Sequence, residues 1–286
     1  MMFMRLAAVN DGALDRHDPF SALTPPGIDQ NLPEWARRSN PIVRRHLGGY
    51  WKAMPVELGG LARIVGWQFA FILLTLPLPF LLAILMPAAT ASLVVLPAAL
   101  FQYGRSLLTI GLSASAAVAS ERANQSLDLL RVSPRPLDHI LLSKIAAAIW
   151  REIENLALIA VAVAVFSLPL LVIHYDALLS AQGQPLLMRF GLMAALLISL
   201  LRIPFEVTMI AAIGGLMGAL GRVRAAAFIA TALCGGAYFI FINLLRLLTL
   251  DLSARLFVEM VLPLLLPAAI TALCLRLTLL ILIRER

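Results

Sequence analysis

Several charged side chains lie inside long apolar segments, where an unpaired charge is energetically unfavourable. Arg202 and Glu206 are four residues apart, so on a helix they share one face and can neutralise each other. Arg105 stands beside Gln102 and Tyr103, which predicts a polar patch on another segment. A charge at the membrane centre costs about 2.5–3.5 kcal/mol, so each needs a partner or water. We interpret Arg202 and Glu206 either as a structural ion pair or, with Arg105, as part of a transport pathway or of an interface between two membrane subunits.

Other reactive groups are sparse and scattered. The histidines lack the spacing of metal ligands, and the carboxylates form no evident pair for acid–base chemistry. The chain also lacks the Gly-x-x-x-x-Gly-Lys-Ser/Thr motif that cradles nucleotide phosphates. We therefore predict no catalytic residues, no metal site and no cofactor bound by this chain.

The composition predicts an integral membrane protein. Of the 286 residues, 61% are hydrophobic and 14% charged, and the mean hydropathy is +0.90; soluble domains average about 45–50% apolar and about 25% charged. The apolar runs are long enough for helices to cross a hydrocarbon core of about 30 Å. The net charge of +7 favours anionic lipid as a partner and not nucleic acid.

These runs predict an all-α polytopic protein in three parts. Residues 1–32 form a flexible cytoplasmic leader, residues 33–60 an amphipathic helix in the membrane interface or bound to a partner, and residues 61–286 a six-span domain. Pro77 and Pro79 should break the outer half of the first span, and residues 87–90 should form a tight turn into the second. The predicted spans are about 64–86, 91–118, 146–173, 188–217, 225–247 and 257–283.

The distribution of basic residues predicts the orientation. With the N-terminus inside, fifteen arginines and lysines lie near cytoplasmic span ends and three near outer ones. Such an excess marks the cytoplasmic side, so both termini and the polar segment 120–144 are expected there.

The polar segment carries the most specific pattern in the chain. It reads Glu121-Arg122-Ala123-Asn124-Gln125-Ser126-Leu127-Asp128-Leu129-Leu130, followed by Pro134 and Ser143-Lys144. Two weaker motifs accompany it, Gly221-Arg222-Val223-Arg224-Ala225-Ala226 and Asn40-Pro41-Ile42-Val43-Arg44-Arg45-His46-Leu47. Together they resemble the permease subunits of type-2 ABC transporters, the exporter-like class.

That resemblance implies a cytoplasmic coupling helix between spans two and three, in a prokaryotic inner membrane. A separate ABC ATPase subunit, holding ATP and Mg, would dock on this helix, and a second copy or a related permease would complete the pathway. The alternatives are a solvated loop with an interfacial helix and, for the whole chain, a non-transporting scaffold subunit. The docking residues implied are Glu121, Arg122, Leu127, Asp128, Leu129, Leu130 and Arg131.

Overall fold

The computed structural model describes residues 32–48, 58–123, 136–179, 185–221 and 223–284. Every regular element within these ranges is helical, as expected where backbone N–H and C=O groups must pair within their own segment in lipid. The predicted leader falls outside these ranges except for Leu32.

The described helices follow in chain order. They are a 3₁₀ turn Glu34–Ala36, then α1 Pro41–Leu47, α2 Leu58–Leu74, α3 Leu81–Ile84, α4 Met86–Ala123, α5 Leu137–Arg151, α6 Ile153–Leu179, α7 Pro185–Leu220, α8 Arg224–Leu247, α9 Leu252–Leu256, a π turn Phe257–Val261 and α10 Leu262–Arg284.

Five helices are long and apolar enough to cross a membrane: α4, α6, α7, α8 and the continuous helix 252–284. This confirms the predicted all-α, multi-pass class. Helix α2 is apolar but has only 17 residues, or about 25 Å at 1.5 Å per residue, less than a full crossing.

The break in the first predicted span is confirmed, but the expected turn at residues 87–90 is wrong. Helix α2 ends at Leu74, and a non-helical stretch containing Pro77 and Pro79 leads to α3. Helix α4 already begins at Met86, so Pro87 lies in its first turn. Proline is tolerated there because the first N–H groups of a helix have no intrahelical acceptor.

The third predicted span is also displaced. A single helix over 146–173 was expected, whereas α5 ends at Arg151 and α6 runs to Leu179. Glu152 lies at the junction, with φ −104° and ψ 6°. Its Oε2 accepts hydrogen bonds from Ser106 Oγ at 2.9 Å and from Asn155 Nδ2 at 2.8 Å. These polar contacts hold the carboxylate at the break.

Helix α7 lies at the centre of the bundle and packs against α4, α6, α8 and α10. Its contact with α4 is made backbone to backbone. A Cβ added to Gly214 would overlap the carbonyl oxygen of Gly111, and one on Gly218 would lie 2.5 Å from Ser115 O. Small residues permit such close approach, so the Gly214-x-x-x-Gly218 pattern marks a real helix contact.

The segment before α2 differs from the predicted single helix over 33–60. Its described part has a 3₁₀ turn and the seven-residue α1, which stops at Gly48 with φ 55°. Val43 and Leu47 are fully buried against α5, where Trp150 Nε1 donates to Ala36 O at 2.8 Å. The apolar face of α1 therefore packs against α5 within this chain.

Asn40 joins this segment to α5. Its Oδ1 accepts from Ile42 N and caps α1, while its Nδ2 donates to Glu34 O and to Ser143 Oγ, both at 3.1 Å. We expect Asn40→Ala to lower the free energy of unfolding by about 1–2 kcal/mol through loss of the cap and of these bonds. Hydrogen exchange of residues 32–48 should accelerate more in Asn40→Ala than in Asn40→Ser, which keeps a capping oxygen. Equal exchange in both variants would refute the capping role.

Candidate functional site

A buried carboxylate, Glu206, lies in the middle of α7 and is fully inaccessible to solvent. It accepts hydrogen bonds from Tyr103 Oη on α4 at 2.9 Å and from Tyr238 Oη on α8 at 2.9 Å. Arg202, one turn earlier on α7, donates from Nε at 2.5 Å. The ion pair expected from the four-residue spacing is therefore formed, and three helices meet at its carboxylate.

This arrangement favours a structural role for Glu206. Both carboxylate oxygens have donors, Arg202 supplies the opposite charge, and the side chain has no contact with solvent. A buried charge is stable only when paired and hydrogen-bonded in this way. We call Tyr103, Arg202, Glu206 and Tyr238 the central brace.

Arg105 does not belong to the central brace. It lies on the exposed side of α4, while Tyr103 is buried and faces α7. The predicted polar patch of Arg105, Gln102 and Tyr103 is therefore not formed as a whole. Tyr103 faces α7, because two residues two positions apart on a helix point in different directions, whereas Gln102 is half-buried and three residues from Arg105. An exposed arginine on an otherwise apolar stretch of helix still needs water, a lipid headgroup or another subunit nearby.

A second carboxylate cluster lies at the far end of the bundle, where α6 ends. Glu259 accepts from His174 Nε2 at 3.0 Å, from Tyr175 Oη at 3.3 Å and from Arg255 Nε at 3.1 Å. Glu259 stands in the π turn 257–261. The sequence signal for this cluster is the four-residue spacing of Arg255 and Glu259, which places both on one face of a helix.

Two more arginines, one half-buried and one buried, lie near these clusters. Arg246 lies within electrostatic reach of both Glu206 and Glu259, and its buried Nε has no hydrogen-bond partner among the described residues. Arg189 is 7% exposed, and its Nη2 donates to Thr75 O at 3.4 Å. Each is a cation placed inside the packed bundle, near the end opposite residues 121–144.

The base of the predicted docking segment is firmly attached to the bundle. Lys144 Nζ on α5 forms a 2.5 Å ion pair with Glu121 Oε1 at the end of α4. Arg122 Nη1 donates to Ala219 O on α7 at 2.5 Å. Burial lowers the pKa of the Lys144 ammonium, with the Glu121 carboxylate opposing that effect. Glu121 and Arg122 thus bind to neighbouring helices within this chain.

The remainder of the predicted docking site, Leu127, Asp128, Leu129, Leu130 and Arg131, lies outside the described residues, so the coupling helix stays a prediction. The bundle end that holds Glu121, Lys144 and Ala219 is here named the loop face.

Within the described ranges, no three His, Cys, Asp or Glu residues are placed to hold a metal ion.

The helices define the class of this chain as a multi-pass helical membrane protein. Comparisons with family models, with curated proteins and with solved structures gave no match.

Proposed function

We propose that the chain is the membrane-spanning permease subunit of an ABC exporter, with ATP hydrolysed by a separate subunit. In this proposal α2 and the stretch through α3 supply a sixth, broken span before α4. The loop face and both termini lie in the cytoplasm, and the chain resides in a prokaryotic inner membrane. The excess of basic residues near the loop-face ends of the spans supports this orientation.

The observation that carries the proposal is the attachment at the loop face. The Glu121–Lys144 pair closes the two ends of the polar segment, and the Arg122 bond to Ala219 O ties that closure to α7. Helix α7 packs against α4, α6, α8 and α10. A displacement of the polar segment would therefore be transmitted through α7 to most of the helices in the bundle. A partner that moves this segment would therefore move the transmembrane helices.

The residue pattern between these attachments would provide a docking surface for such a partner. Leu127, Leu129 and Leu130 would form an apolar ridge, and Asp128 and Arg131 would fix its orientation by charge pairing. The partner ATPase would hold ATP and Mg, and two permease chains, identical or related, would enclose the pathway. The central brace would keep α4, α7 and α8 together while the bundle changes its accessibility.

The docking segment can be tested by placing acidic side chains on the ridge. Leu129→Asp/Leu130→Asp is expected to abolish co-purification of a co-expressed ATPase encoded nearby, because two carboxylates cannot enter an apolar groove without a large desolvation cost. Membrane insertion, measured by extraction and gel filtration, should not change. Leu248→Asp, an exposed leucine at the opposite end of the bundle, serves as the matched control. Retention of the ATPase by the double variant would overturn the docking site.

A further inference from the structure

A cavity of about 350 Å³ opens at the loop face between α4, α5 and α8, beside His46 of α1. Its lining includes three cationic side chains, Lys144, Arg151 and Arg224, together with Ser113 and with Ser120, whose hydroxyl donates to Ala117 O. The residues that line it include no carboxylate. The cavity therefore concentrates positive charge and hydrogen-bond donors in one place.

The cations of this cavity retain unused donors. Lys144 uses its ammonium for a single bond to Glu121, and Arg151 donates from Nη2 to His46 O. Arg224 has no side-chain hydrogen bond or ion pair within the described part of the chain. Two guanidinium groups without a carboxylate partner can bind an anion through paired N–H groups.

The start of α8 adds further donors. Arg224 is the first residue of α8, and the preceding Val223 provides no side-chain cap. The first N–H groups of a helix lack intrahelical acceptors and carry the positive end of its dipole. An anion held by Arg224 would therefore lie near these amide groups as well.

We propose that this cavity binds a phosphate group, carried by an anionic lipid or by a soluble phosphate compound. Phosphate oxygens match the guanidinium, ammonium, hydroxyl and amide donors gathered there. Leu112 and Phe228 give part of the wall an apolar surface, which suits the glycerol and acyl portions of a lipid. The cavity shares Lys144 with the loop-face attachment, but phosphate binding can be measured on this chain without an ATPase.

The titration of His46 agrees with a positive potential in the cavity. Burial lowers the pKa of the imidazole, and the charges of Lys144 and Arg151 lower it further, with Glu121 opposing them. A bound phosphate would oppose the effect of these cations on the pKa, because a negative charge favours the imidazolium.

The test uses the full-length chain purified in detergent and two probes, phosphatidylglycerol and sodium pyrophosphate, with zwitterionic phosphatidylcholine as the reference lipid. Binding is measured by native mass spectrometry and by the shift in Tm. We expect Arg224→Glu to weaken phosphatidylglycerol binding by about tenfold or more, since an attractive charge becomes repulsive. Arg151→Gln/Arg224→Gln should weaken it without introducing repulsion.

Arg63→Glu is the matched control, because Arg63 is an exposed arginine of α2 that is not among the residues lining the cavity. Phosphatidylglycerol binding that Arg224→Glu weakens and Arg63→Glu does not would support a lipid phosphate. Pyrophosphate binding that Arg224→Glu weakens and Arg63→Glu does not would support a soluble phosphate compound. Binding of neither probe above the phosphatidylcholine level, or equal effects of Arg224→Glu and Arg63→Glu, would overturn the proposal.

Discussion

Glu206→Leu is expected to lower the free energy of unfolding by about 3–5 kcal/mol, the cost of breaking a buried ion pair from one side. The substitution leaves the Arg202 charge without its carboxylate and removes the acceptor for the hydroxyls of Tyr103 and Tyr238. The loss should fall toward the lower end of that range, because the Arg202 side chain is 23% exposed and is therefore not fully enclosed by the bundle. Equilibrium unfolding of the purified chain in mixed micelles, followed by circular dichroism, measures the change.

A double variant separates the charge pair from the tyrosine contacts. Arg202→Met/Glu206→Gln removes both charges, while the glutamine oxygen still accepts from a tyrosine, so it should recover most of the stability lost in Glu206→Leu. Arg105→Met is the control, because Arg105 is exposed and has no ion pair within the described residues. It should change stability by no more than about 0.5 kcal/mol. If Glu206→Leu were as stable as Arg105→Met, the central brace would not hold the helices together.

The second large effect concerns the contact between α4 and α7. Gly214→Ala and Gly218→Ala should each lower the free energy of unfolding by about 1–3 kcal/mol, because overpacking forces backbone shifts. The added methyl groups would meet backbone oxygens of Gly111 and Ser115, which cannot rotate away as a side chain can. Since the contact joins the helix of Arg122 to the helix of Ala219, loop-face attachment should weaken too.

Gly104→Ala provides the matched control on α4, because nothing lies within 4 Å of a Cβ added there. That substitution should leave stability unchanged or raise it by up to about 1 kcal/mol through helix propensity. The same micelle titration compares all three variants. Equal stability of Gly104→Ala and Gly214→Ala would show that the close backbone approach is not required.

The predictions that the structure confirms rest on the helical repeat and on the conformational restriction of proline. The four-residue spacing of Arg202 and Glu206 placed them on one face, and the structure pairs them. Pro77 and Pro79 indicated a break in the first span, and α2 ends at Leu74 just before them. Each of these predictions concerns residues within one helix or one turn.

Contacts between helices could not be predicted in the same way. Periodicity shows which residues share a face, but it does not show which helix that face meets. Tyr103 and Tyr238 come from helices on either side of α7 in the chain, and nothing in their spacing pairs them with Glu206. The cluster around Glu259 depends on a π turn, which changes the direction of side chains over a few residues.

The central claim is that this chain transmits the action of a separate ATPase to a membrane bundle. Its most direct test is to co-express the chain with an ATPase encoded beside it, purify the complex in lipid nanodiscs and measure ATP hydrolysis. We predict a stable complex of fixed stoichiometry whose ATP turnover differs from that of the ATPase alone. No complex, or a complex whose ATP turnover equals that of the free ATPase, would contradict the claim and favour a non-transporting scaffold.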